Sequence, residues 1–166
     1  MALLVLVACA TPAEAPTIEA TLLEGASRTR SIDERTLVDE ASDAALAGVL
    51  EDAGFAAATE RTWTDRRADV WQTVVRALRF GSSEGAQTYL TWIDENASTL
   101  IGPATPRGDG AALAFEHEAS DCCPNKDGPR ALAAVADGDL VWTAMLTGPA
   151  ADAAGALALL PLPDQT

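Results

Sequence analysis

The run DVWQTVVRALRFGSSEGAQTYLTWIDENASTLIG, residues 69–102, carries the clearest structural signal in the chain. Its first part alternates: Val70, Val74, Leu78 and Phe80 fall on one face of an extended chain, and Trp71, Thr73, Val75 and Ala77 on the other. That spacing predicts a strand over Asp69 to Phe80. Gly81-Ser82-Ser83-Glu84 then opens a helix, with a serine to cap the free backbone N–H groups and a glutamate in the first turn. Ala86, Leu90, Ile93, Ala97 and Leu100 recur at helical spacing and make a core-facing stripe, which Gly102-Pro103 ends. A strand that turns directly into an amphipathic helix requires a fold of mixed α and β structure.

Working outward, Leu22 to Ser31 is polar and poorly patterned and reads as linker. A helix is expected from Asp33, with Leu37, Ala41, Leu46, Val49 and Leu50 on one side and Gly54 as its C-terminal cap. Phe55 to Trp63 is a weaker strand candidate, joined to the central strand through a turn at Asp65-Arg66-Arg67. Downstream, a strand is expected at Ala112 to Ala119. Two more, Arg130 to Ala136 and Leu140 to Thr147, flank Asp137-Gly138-Asp139, a hairpin signal. A last helix runs from about Ala150 to Leu160 and stops at Pro161. Hairpins dominate and only one long helical crossover appears. The expected fold is therefore α+β: an antiparallel sheet of about five strands, with two to three helices packed mainly on one face.

The 166 residues are 48% hydrophobic, ample for one core, and carry a formal net charge of −14. Such a surface repels phosphate backbones and anionic headgroups, and no basic run offsets it, so nucleic acid is not expected as a partner. Attachment to a membrane then needs a hydrophobic or covalent device.

The amino terminus offers one. In MALLVLVACA the residues Leu6-Val7-Ala8-Cys9 resemble the lipobox of bacterial lipoproteins. The resemblance implies residues 1–8 as signal peptide, cleavage after Ala8 and a lipid on Cys9, which would be the membrane contact and place the protein on the extracytoplasmic face. Thr11 to Thr17 is rich in Pro and Ala and reads as a tether, so residues 9–31 are expected to form the lipidated start and linker, and residues 32–166 the single domain. The match departs from a full signal peptide in having no Lys or Arg before Cys9, which a start upstream of Met1 would supply. The body, from Gly54-Phe55 through Phe80-Gly81-Ser82 to the closing Gly-Asp hairpin, resembles extracytoplasmic domains of uncharacterised actinobacterial lipoproteins of PsbP/Mog1-like type. That likeness implies a fold and no site residues.

Candidate chemistry is sparse. Cys122 and Cys123 are adjacent, and Cα atoms about 3.8 Å apart lie below the usual disulfide range. They fit a strained vicinal disulfide, which would be easily reduced, or two free thiols, or a bridge to another chain. Without spaced His or Cys partners they make no zinc site, and no other metal or cofactor motif stands out. His117, the single histidine, has no nucleophile or orienting acid that can be placed beside it, so no catalytic residue is assigned. Among the four tryptophans, Trp71 and Trp142 fall in strands; with Arg76 and Arg79 they are the candidate lining of a ligand groove, against a plain core role. Trp92 falls off the apolar stripe of its helix. The expected function is a non-enzymatic module that binds or senses a small ligand from the membrane surface. The alternatives are an accessory lipoprotein docked on a membrane protein complex, and a thiol-redox protein using Cys122-Cys123.

Overall fold

The computed structural model describes residues 13–65, 68–108, 112–118 and 128–161. Cys9, Cys122 and Cys123 lie outside them. Within them, strands β1 (Ser27–Ile32), β2 (Phe55–Thr64), β3 (Gln72–Phe80), β4 (Thr105–Pro106), β5 (Leu113–His117), β6 (Arg130–Asp137) and β7 (Leu140–Thr147) form one sheet. Its order is β1-β2-β3-β7-β6-β5-β4, and every neighbouring pair is antiparallel. The sheet is thus two meanders. Helix α3 (Ser83–Ile101) carries the chain from β3 to the far edge, and the second meander returns to lay β7 beside β3.

The sheet has seven strands where about five were expected. One addition is the two-residue β4. The other is β1, which forms from the polar stretch read above as linker: Ser27 to Ile32 pair along β2 as an edge strand whose side chains, Ile32 excepted, are exposed. An edge strand with a solvated face needs no apolar alternation, so the pattern could not announce it. The preceding segment is docked too, with Ile18 buried and its carbonyl accepting a 2.7 Å hydrogen bond from Arg61.

Helices α1 (Glu34–Ala41), α2 (Leu46–Asp52) and α3 cover one face, burying Leu37, Leu46, Leu50, Ile93 and Ile101 against Leu78, Phe80, Leu132 and Val141. The single helix expected after Asp33 is two: Ser42 takes a left-handed conformation (φ 52°), and Asp43 turns the chain by accepting from the backbone of Ala45. Asp33 caps α1 through Thr36, and Ser82 caps α3 through Gly85, both at the predicted starts. Within α3 the buried side includes Tyr89, Trp92 and Ile101, while Leu90 and Leu100 are only partly buried. Trp92, expected off the core stripe, is 6% exposed and stacks on Tyr89, which packs in turn on Phe80. Asn96 leaves helical geometry and kinks the helix.

The opposite face is buried as well. There Trp63, Val75, Ala77, Ala131, Ala133, Val135, Ala144 and Leu146 meet Ile18 and the short helix α4 (Ala153–Leu157). The nearly continuous apolar run of β6, RALAAVAD, belongs to a strand covered on both sides.

Gly85 sits where α3 touches the end of α2: a Cβ there would come within 2.0 Å of the Ala53 carbonyl oxygen. Gly48, in α2, has open space around the same position. Gly48→Ala should therefore raise stability by up to about 1 kcal/mol, whereas Gly85→Ala should lose about 1–3 kcal/mol despite the better helix former. Urea unfolding midpoints of the two variants against the parent check both signs.

Candidate functional site

Register alone places a row of charges across three strands. Arg30 of β1 lies opposite Glu60 of β2, and Glu60 opposite Arg76 of β3. Side chains directly opposite one another share a sheet face, and here that face is the one the helices cover. Glu60 Oε1 accepts from Arg30 Nε at 2.7 Å, and Oε2 accepts from Arg76 Nε at 2.9 Å and Nη2 at 2.8 Å. Glu40, near the C-terminal end of α1, closes the ring: its two oxygens accept from Arg30 Nη2 at 2.7 Å and from Arg76 Nη2. A carboxylate at a helix C-terminus opposes the helix dipole, and the two arginines offset that.

The ring is graded in burial, the Glu60 side chain being 6% exposed, Arg76 18%, Glu40 36% and Arg30 41%. Burial works to raise the Glu60 carboxyl, but hydrogen bonds from Arg30 and Arg76 outweigh it and hold it below the usual carboxylate value. The same bonds, to Glu60 and then Glu40, raise the Arg30 guanidinium.

Two depressions meet at this ring. On the edge side lies an open basin of about 530 Å³ over β1 and β2, lined by Arg28, Arg30, Glu60, Thr62 and Thr64. On the core side, beneath α3, is a narrow cavity of about 80 Å³ with Arg76 and Glu40 in its wall, floored by Val74, Leu132, Thr143 and Met145. Tyr89 and Ile93 of α3 form its roof. Tyr89 is buried, which pushes its hydroxyl up to about 12, and it makes no hydrogen bond among the described residues.

The residues singled out from sequence do not come together. Arg76 belongs to the ring on the helix face, while Arg79, three positions on, points to the opposite face with Trp142. Among the described residues Arg79 Nε makes no hydrogen bond, and it stands 3.8 Å from Asp139. Trp142 is half-buried against the second core, and Trp71 lies before β3 at the strand ends beside Thr64, Gln72 and Thr147. His117 is half-buried at the end of β5, its Nδ1 3.0 Å from the Pro103 carbonyl and its ring against Gly102. Its neighbour Glu116 accepts from the Ala153 backbone at the start of α4 and from Arg107, which hold its carboxyl low. The groove residues Arg28, Arg30, Glu40, Glu60 and Tyr89 were not foreseen. A signal for one existed: Glu60 interrupts the otherwise uncharged run Phe55–Thr59 inside a strand.

Glu60→Gln leaves two guanidinium groups facing one carboxylate and should cost about 3 kcal/mol at neutral pH, the low end for breaking a buried pair. Because Glu60 titrates below its ordinary 4.5 in the fold, the ring's contribution is complete above that pH and is lost as the pH falls through the lowered value. Urea midpoints across the acid range should show a shallower fall for Glu60→Gln than for the parent. The residual slope belongs to Asp33 and Glu116, also held low by hydrogen bonds.

No protein-family model and no curated protein matches the chain. Among solved structures, the extracellular domain of PknH from Mycobacterium tuberculosis is similar in fold. The TM-score is 0.54 at 11% sequence identity, over 81% of this chain and 79% of that one. At that identity the likeness is one of fold: an antiparallel sheet with helices packed on it.

Proposed function

We propose that this chain is an extracytoplasmic, non-enzymatic module that binds a small ligand in the groove between β1–β3 and α3 and is held to a membrane by a lipid on Cys9. The observation that carries the reading is the meeting of basin and cavity at the Arg30–Glu60–Arg76–Glu40 ring. Ligand sites are concave, largely apolar and oriented by a few fixed polar groups, and this groove has an apolar floor with its polar groups held by register. The fold likeness to the extracellular domain of a kinase supports a sensing role on the outer side of a membrane. The Leu6-Val7-Ala8-Cys9 motif supports the anchor. Among the described residues no helix is long and apolar enough to cross a membrane, so in this reading the lipid supplies the attachment. Two acyl chains on one cysteine suffice for stable anchoring.

Two measurements check the proposal. In a fragment screen followed by amide and methyl NMR, shifts should concentrate on Arg28, Thr62, Val74 and Met145; shifts scattered over the second face, or none, would overturn the groove. In an actinobacterial host expressing the full chain, Cys9→Ser should move the protein from the membrane to the soluble fraction. Unchanged partition would remove the anchor.

A further inference from the structure

We infer that the groove takes a small amphipathic anion, with its acidic group on Arg28 and a short apolar group in the cavity under α3; this rests on the groove being a ligand site.

A second cross-strand row links the basin to the cavity. Arg28 lies opposite Thr62, Thr62 opposite Val74, Val74 opposite Met145, and Met145 opposite Leu132. This row runs beside the charge ring on the same face, from the open basin straight onto the cavity floor. Two strand spacings, about 10 Å, separate the backbone of Arg28 from that of Val74. A single small molecule spans that distance.

Charge decides the sign of the ligand. The carboxylates of Glu40 and Glu60 are each engaged by both Arg30 and Arg76. Arg28 is exposed and makes no ion pair among the described residues. The groove therefore presents three guanidinium groups against two carboxylates, a local excess of positive charge on a chain whose net charge is −14. The unclaimed group is a planar fork suited to a carboxylate or phosphate. A cationic ligand would have to displace an arginine from a carboxylate to find a partner.

Volume decides the apolar part. A cavity of 80 Å³ admits only a handful of water-sized groups, about 10–15 Å³ being needed for each. That fits a branched or straight chain of a few carbons, or one ring, and is too small for a lipid tail. Tyr89, 5% exposed and without a hydrogen-bond partner among the described residues, lines the cavity roof, and Thr143, 8% exposed, offers a second polar group in its floor. An ester, ether or hydroxyl oxygen near the apolar end would satisfy them.

The test titrates the full chain with hexanoate, hexyl phosphate, hexylamine and hexan-1-ol, followed by NMR of backbone amides, arginine Nε–H groups and the Met145 methyl. Hexanoate and hexyl phosphate should shift both Arg28 and Met145 and bind at least about tenfold tighter than hexylamine. Arg28→Gln should cost either anion about tenfold while leaving hexan-1-ol binding and the melting temperature unchanged. Arg28→Lys should restore part of the anion preference. Hexan-1-ol or hexylamine binding at Met145 as tightly as the anions would sink the anionic assignment and leave the groove reading standing. So would anion affinity that is indifferent to Arg28→Gln. If none of the four compounds, and no fragment of the screen above, shifts either residue, both readings fall together.

Discussion

Glu60 is a carboxylate 6% exposed in the middle of three strands, and a charge so placed is tolerated only when it is paired and hydrogen-bonded. Its partners come from three directions: Arg30 on one neighbouring strand, Arg76 on the other and, through them, Glu40 on α1. Satisfying Glu60 thus specifies the register of β1 on β2 and of β2 on β3, and ties the end of the first helix to the sheet. A slip of one residue in either pairing would send the charges to the opposite face, into a core built from Trp63, Val75 and Ala77. The ring also explains why the helix layer stops where it does: an apolar helix face laid over it would leave guanidinium groups desolvated, so the sheet beyond the ring stays open and becomes the basin.

The two faces divide the labour. The second face is closed by small side chains, Ala131, Ala133 and Ala144 among them, under α4 and the segment around Ile18. The helix face carries an aromatic series, Phe55–Phe80–Tyr89–Trp92, which reaches the groove through Tyr89. Offset and tilted ring pairs of this kind contribute about 0.5–1.5 kcal/mol each beyond their area. A ring with its geometry set by register would give the proposed ligand site a preformed shape.

Much of the architecture was legible from local rules. The strand ending at Phe80, the serine cap of α3, the stop at Gly102 and the hairpin at Gly138 each follow from a few adjacent residues. β1 was not legible, because an edge strand whose side chains are nearly all exposed has no alternation to read. The groove suffered from a different error of scale. Arg76 and Arg79 were grouped because they share a strand, yet three positions apart on a period of two puts them on opposite faces. Trp92 was read as lying off the ideal stripe of its helix; in α3, which kinks at Asn96, it is buried in the core.

By itself, then, the sequence determined the fold class, the order of the central elements and the strongly acidic net charge, because each depends on composition or on neighbours within a few positions. It also supplied the motif at Cys9 from which an anchor is proposed. Only the tertiary structure decided which charges meet. Arg30 and Glu60 are thirty positions apart, and Glu40 and Arg76 thirty-six. Nothing in a linear reading ranks one such pairing over another. Strand order and register do, because they bring four side chains within hydrogen-bonding distance and leave Arg28 beside them without an ion-pair partner among the described residues.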